Sequence, residues 1–221
     1  MTDIRNIVTT YDGSHTIYVP QLKEHYHSIH GAVQESNHIF INNGFDVCKA
    51  DPVKIFEVGF GTGLNALLTA IRSIDCNRQV YYTSIEKYPL DKSITDILNH
   101  TAFTGHDDAM LSMKIHNAVP GIMTPVCNTF NIEKIIGDLV TDQLSGSYDL
   151  IYFDAFGPDK QPEMWSLQIF KKIAAITKPG GILVTYSCKG DVKRNLIASG
   201  FDVKLYHGPP GKRHIIRAYK I

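Results

Sequence analysis

Short apolar runs rich in β-branched and aromatic residues alternate along the chain with longer segments whose apolar positions recur at helical spacing. That alternation predicts an α/β fold with a mostly parallel sheet. Ile4 to Val19 alternates around Asp12-Gly13 and predicts a hairpin, and His30 to Asn43 predicts a helix ending near Gly44. Asp51-Pro52 breaks the chain. A core strand is expected over 53–58, a helix from Leu64 to Ser73, a second strand from Gln79 to Glu86, and helices near 89–99 and 106–118. Further strands are expected at Thr129 to Gly137, Tyr148 to Phe153 and Gly181 to Ser187, with helices at Met164 to Thr177 and Asp191 to Ser199. Phe201 to His207 and Arg213 to Tyr219 flank Gly208-Pro-Pro-Gly211 and predict a closing hairpin. Residues 1–50 are therefore expected to form a hairpin-and-helix addition packed on a core of residues 51–221, all in one compact unit.

The first core strand runs into Glu57-Val-Gly-Phe-Gly-Thr-Gly-Leu-Asn65. Glycines at 59, 61 and 63 allow a sharp turn and close approach of a nucleoside ligand. The order is G-x-G-x-G, whereas a dinucleotide fingerprint reads G-x-G-x-x-G with a pyrophosphate on the helix N-terminus. Glu57 would repel a pyrophosphate and suit a ligand carrying an amino group, because charges a few ångströms apart in a partly desolvated cleft interact strongly. That points to S-adenosylmethionine as cofactor. A glycine-rich strand end can also be a purely structural turn, so neighbouring residues have to decide.

The second strand ends on Glu86, about twenty residues beyond the turn, where a carboxylate accepts ribose hydroxyls in folds of this kind. Ligands in open parallel sheets lie at the carboxyl ends of the strands, which singles out Glu57, Glu86, Asp138 and Asp154. Asp138 has two readings: it bonds an adenine amino group, or it caps the turn that follows.

Composition narrows the class. A chain of 221 residues with 43% hydrophobic content can bury one core. It contains neither an apolar run long enough to span a membrane nor a charged-then-apolar leader, so a cytoplasmic protein without membrane association is expected. Cys48, Cys76, Cys127 and Cys188 form no CxxC pair, and the histidines at 25, 27, 30 and 38 lack partners of ligand spacing, so no metal site is expected. The formal net charge of zero is unevenly spread: residues 171–221 carry eleven Lys and Arg against Asp191 and Asp202, a balance of +9 that leaves −9 for residues 1–170. A phosphate-binding face and a solvated face neutralised by the acidic remainder both fit that asymmetry.

The strand Tyr148 to Phe153 delivers Asp154-Ala-Phe-Gly-Pro158 into the place where a methyl acceptor must sit. An alkyl amine with a pKa of about 10 is mostly protonated at neutral pH and cannot attack. A carboxylate can hold that ammonium and take its proton, which makes Asp154 the candidate catalytic group. Phe156 and Trp165 offer stacking surfaces for a base, with core packing as the alternative.

Taken together, Tyr26 to Ser36, Glu57 to Asn65, Ser84 to Leu90, Gly137-Asp138, Asp154 to Trp165, Thr185 to Gly190 and Gly208 to Arg213 make the chain resemble the methyltransferase part of the MnmC family, and more closely its stand-alone MnmD type. The resemblance implies a Rossmann-like class I methyltransferase that forms 5-methylaminomethyl-2-thiouridine at the tRNA wobble position. It implies that the glycine turn (Gly59, Gly61, Gly63), Asn65 and Glu86 hold S-adenosylmethionine and that Asp154 lies beside donor and acceptor. Ser28 and Glu35 match the family's N-terminal block, which helps close the site. Two-domain members carry a flavin-dependent oxidoreductase; this chain stops where that domain would begin, so no flavin is expected and the aminomethyl substrate would come from ammonium-based synthesis or a separate enzyme. Lys189, Lys193, Arg194, Lys212 and Arg213 are then the expected phosphate contacts to the anticodon region of tRNA. The alternatives are a methyltransferase for a small-molecule amine or a protein, and a non-catalytic nucleoside- or RNA-binding module.

Overall fold

A computed structural model describes residues 6–104 and 108–221. Ile4 of the expected first hairpin, and the first residues of the helix expected at 106–118, lie outside them. The hairpin forms as β1 (Asn6–Thr9) and β2 (His15–Val19), joined through Gly13 at φ +85° and extended by β3 (Glu24–His25) into a three-stranded sheet. The expected helix begins as α1 (Ala32–Ser36) and continues over Asn37–Phe45 as a π-helix, in which the Asp46 N–H reaches the Ile41 carbonyl at 2.9 Å. Its wider turn buries three consecutive apolar residues, Ile39, Phe40 and Ile41, which an i→i+4 winding would fan out.

The chain continues through β4 (Val53–Val58), α2 (Leu64–Asp75), β5 (Val80–Glu86), α3 (Lys92–Thr95) and α4 (Ala109–Asn117). It then forms β6 (Thr124–Cys127), β7 (Phe130–Ile136), β8 (Tyr148–Phe153), α5 (Leu167–Ile176), β9 (Thr177–Thr185), α6 (Gly190–Ala198), β10 (Phe201–His207) and β11 (His214–Lys220). The eight strands β4–β11 form one sheet in the order β10-β11-β9-β8-β4-β5-β7-β6. Neighbours from β7 to β9 are parallel, β11 inserts antiparallel between β9 and β10, and β6 is an antiparallel edge. Strand order reverses between β4 and β8, which fixes the crevice at their carboxyl ends as the place for a ligand.

Both faces of the central strands are covered, and side chains alternate between two cores. Tyr152 and Leu150 of β8 point to one face with Phe40, Phe45, Tyr82 and Phe130. Ile151 and Phe153 point to the other with Phe56, Trp165, Phe170 and Phe201. Three expectations need correction. The helix near 89–99 shrinks to α3 because Asn99 is recruited to the small sheet, accepting from the His15 N–H at 2.7 Å and donating to the Gly13 carbonyl at 3.0 Å. Strand β9 starts at Thr177, with the register jumping from Tyr148↔Thr177 to Leu150↔Ile182, so the Pro179-Gly180-Gly181 segment bulges out of a continuous strand. Strand β6, which carries Pro125, was not expected; at the sheet edge the missing N–H costs no ladder bond. No helix among the described residues is long and apolar enough to cross a membrane.

Candidate active site

The turn after β4 is built on left-handed backbone: φ is +87° at Gly59, +50° at Gly61 and +73° at Gly63. A Cβ on Gly59 would stand 2.8 Å from the Asp154 carbonyl oxygen, and one on Gly61 would stand 3.0 Å from the Tyr26 ring. Gly63 does a different job, capping α2 against Phe60 and His116 on the side away from the main cavity. Between Gly61 and Gly63, Thr62 shares a 2.7 Å hydrogen bond with His27 Nε2. Burial pushes the His27 imidazole down to about 3, so it stays neutral and ties the turn to the N-terminal segment.

The cavity in front of this turn has a volume of about 640 Å³ and runs from Gly61 past Glu86 and Asp138 to Asp154 and Phe156. Glu86, at the tip of β5, accepts the N–H groups of Gly61 at 3.1 Å and Tyr88 at 2.8 Å. Each of its oxygens keeps a lone pair for a diol. Asp138 caps the turn that follows, accepting the Val140 N–H at 2.9 Å, and also lines the cavity. Lys87, bonded to it at 2.7 Å, holds its carboxyl below the ordinary range.

Asp154 lines the same cavity, and loss of solvation raises its carboxyl to about 7. Asn65 Nδ2 donates to Asp154 Oδ2 at 2.8 Å and to Glu57 Oε1 at 3.1 Å. Glu57 is fully buried and does not open onto the cavity; Ser84 Oγ donates to its other oxygen at 2.7 Å. Burial, reinforced by the charge of Asp154, pushes Glu57 up to about 8. The expected electrostatic contact from Glu57 to a ligand amino group is corrected accordingly: a largely protonated acid behind Asn65 positions that amide, and the acidic groups on the cavity are Glu24, Glu35, Glu86, Asp138 and Asp154.

The far wall comes from segments remote in sequence. Phe156 meets Tyr26 edge to face at 5.0 Å. Glu35 accepts the Ser28 N–H at 2.8 Å and pairs with Lys212, whose ammonium lies 5.2 Å from the centre of the Tyr186 ring. Lys212 is thus a cavity residue and not the exposed phosphate contact expected of it. Trp165 does not reach the cavity: it is 3% exposed, packs against Phe153, Phe170 and Tyr186, and donates its indole N–H to the Phe156 carbonyl at 2.7 Å. It therefore supports the loop that carries Phe156, and the stacking role expected of it is withdrawn. Pro158, Lys189, Lys193, Arg194 and Arg213 lie outside the cavity lining. Sequence reasoning gave no role to Thr62, Tyr26 or Tyr186, and considered His27 only as a metal ligand. No spacing rule marks them, because they arrive from the N-terminal segment, the turn itself and the end of β9. Among the described residues no group of three His, Cys, Asp or Glu converges as a metal-ligand set.

Sheet order, a turn that excludes side chains and a carboxylate on the next strand tip define a Rossmann-like nucleoside-binding enzyme. The sequence goes further, because residues 111–221 match the model of a family of S-adenosyl-L-methionine-dependent methyltransferases, and the chain belongs to that family. It is 32% identical over 213 residues to the tRNA 5-methylaminomethyl-2-thiouridine biosynthesis bifunctional protein MnmC of Cupriavidus metallidurans, covering 90% of this chain and 31% of that protein. The chain thus spans about a third of the length of the curated relatives it matches. Among solved structures, MNMC2 from Aquifex aeolicus superposes with a TM-score of 0.74 at 24% identity, over 98% of this chain and 70% of that one. Spermidine synthase from Thermotoga maritima gives 0.55 at 12% identity, over 99% and 70%. Both likenesses concern the fold.

The residues fit the family's cofactor. Side chains at Gly59 and Gly61 would collide with the Asp154 carbonyl and the Tyr26 ring that border the cavity, and Glu86 keeps acceptor capacity there that suits hydroxyl groups.

Proposed function

We infer that the chain methylates the aminomethyl nitrogen of 5-aminomethyl-2-thiouridine at the wobble position of tRNA, giving 5-methylaminomethyl-2-thiouridine. The observation that carries this reading is Asp154: a half-buried carboxyl with a value of about 7, fixed by Asn65 beside the glycine turn and facing a cavity of about 640 Å³. The name of the Cupriavidus relative supplies the acceptor class. When bound, S-adenosylmethionine provides an electrophilic methyl carbon. The chain's own residues do the rest. The glycine turn, Asn65 and Glu86 hold the nucleoside, and Asp138 borders its base. Asp154 binds the acceptor ammonium, takes a proton from it and leaves the nitrogen lone pair free, while Phe156 and Tyr26 offer aromatic surface to a splayed-out base. Residues 1–50 act as a cap on the core of residues 51–221, with Ser28 and Glu35 closing the site. Neither flavin nor metal enters this reading; a separate enzyme or ammonium-based synthesis supplies the aminomethyl group, and the setting is the cytoplasm.

The test is nucleoside mass spectrometry of tRNA lacking the terminal methyl, before and after incubation with protein and S-adenosylmethionine. A gain of one methyl on the wobble nucleoside is expected; an unchanged nucleoside alongside intact cofactor binding would redirect the reading to another amine.

Because burial raises Asp154, kcat/KM is expected to increase as pH rises through about 7, when the free enzyme's carboxyl ionises. A bound cation beside it favours the carboxylate, so the kcat profile should turn at lower pH than the kcat/KM profile. A rise centred near the amine's own pKa of about 10, with no inflection near 7, would take Asp154 out of proton transfer.

The RNA-facing surface can be narrowed. Lys189 is paired with Asp159 and Arg194 with Asp191, whereas Lys193 and Arg213 make no ion pair to a described residue. Both stand at the carboxyl end of the sheet, Lys193 in the first turn of α6 and Arg213 in the β10–β11 turn. The double replacement Lys193→Ala with Arg213→Ala should weaken tRNA binding and reduce its log-log salt slope by about 2 while sparing S-adenosylmethionine affinity. Unchanged tRNA affinity would move the phosphate contacts elsewhere.

A further inference from the structure

Among the described residues, Glu35–Lys212 is the ion pair on the wall of the cavity that joins a carboxylate of the N-terminal segment to a cation of the C-terminal hairpin. Its side chains are only 12% and 27% exposed. Both partners are held from a second direction: the Ser28 N–H fixes one Glu35 oxygen at 2.8 Å, and Lys212 lies over the Tyr186 ring, whose hydroxyl is itself anchored to the Ala155 carbonyl at 2.8 Å. Isolated ion pairs contribute little stability when solvated. This one is pre-oriented and turned toward the cavity, which suits recognition more than bracing. The ammonium has three N–H donors, of which Glu35 takes one, and the carboxylate retains acceptor capacity beyond Ser28 and Lys212. A donor and an acceptor therefore stand side by side on the wall.

We propose that the Glu35–Lys212 pair reads the base of the acceptor, with Lys212 donating to the C4 carbonyl oxygen of a uracil ring and Glu35 accepting from its N3–H. The proposal rests on the reading of the acceptor as a 5-aminomethyl pyrimidine. In such a ring the aminomethyl carbon is attached next to C4, and N3 follows C4. An amine seated at Asp154 therefore puts the O4/N3 edge in the cavity that Glu35 and Lys212 also line, and Asp154 senses the charges of both. Uracil presents acceptor then donor along this edge. Cytosine presents the reverse, an N4–H donor facing the ammonium and an N3 lone pair facing the carboxylate, so both contacts become repulsive in a partly desolvated place. A site built to hydrogen-bond one pattern rejects its inverse strongly because the protein groups are left unpaired.

The experiment compares kcat/KM on two anticodon stem-loop RNAs that carry 5-aminomethyluridine or 5-aminomethylcytidine at the wobble position. Wild-type protein should prefer the uridine RNA by about a hundredfold or more. Lys212→Met should bring that preference to within about tenfold, chiefly by loss on the uridine RNA, while Lys212→Arg, which keeps the donor, should preserve it. Titration with S-adenosylmethionine reports that each variant retains its cofactor site. Equal losses on both RNAs with the preference intact would show that the pair only latches the two segments together, and the proposal would fall. A wild-type protein that binds cofactor yet methylates neither RNA would overturn the acceptor assignment and the proposal with it.

Discussion

Replacing Asp154 with Ala is expected to lower kcat by about a thousandfold while changing S-adenosylmethionine affinity by less than about tenfold, the range over which a positioned acid or base acts. The split follows from where the carboxyl stands. It stands on the cavity beside the glycine turn, and among the described residues its side-chain hydrogen bond comes from Asn65. Removing it takes away the group that receives the acceptor's proton and leaves the cradle's own contacts in place. Asp154→Asn separates shape from charge: the amide fills the same space but cannot take a proton, so it should be nearly as slow as Ala. Single-turnover kinetics with saturating cofactor measures the effect, and near-normal turnover in either variant would remove Asp154 from the mechanism.

The second large effect is expected at Gly59. Its φ of +87° disfavours any side chain, and the added Cβ would press to 2.8 Å on the backbone oxygen of Asp154. Backbone cannot swing aside as a flexible side chain does, so β4 and the loop after β8 must separate where the ligand is held. Gly59→Ala should destabilise by about 2 kcal/mol or more from strain and overlap. For a chain of this size that is a fall in Tm of about 4–8 °C. Cofactor affinity should drop by more than about a hundredfold, since cradle and acceptor side are displaced together. Gly180→Ala is the control: its φ is +74°, but nothing lies within 4 Å of the new Cβ, so it carries strain without collision. Calorimetry and cofactor titration on both variants separate the two contributions. Equal behaviour would mean that the contact with Asp154 has no part in the effect.

The parallel core was legible because its strands are buried on both faces and read as continuous apolar runs; Val53–Val58 and Tyr148–Phe153 coincide with their expected bounds. The carboxyl-end rule then brought Glu86, Asp138 and Asp154 to one cavity from three strands. What stayed hidden depends on contacts between distant segments. Nothing local marks Asn99 as a partner of β2, nor the wide winding of Asn37–Phe45 that packs against the central strands. Lys212 read as surface charge because its partner Glu35 lies 177 residues away in sequence. Glu57 read as a ligand-facing charge because its position ahead of the turn says nothing about burial, and burial is what removes its charge. Trp165 left two readings open, and its burial against Phe153 and Phe170, with the indole bonded to the Phe156 carbonyl, decided for core packing.

A crystal structure with S-adenosylmethionine bound tests the central claim most directly. The account predicts density across Gly59 and Gly61, with the ribose hydroxyls on Glu86 and the methyl carbon directed toward the space beside Asp154. Density for the nucleoside anywhere else, or a methyl carbon turned away from Asp154, would contradict it.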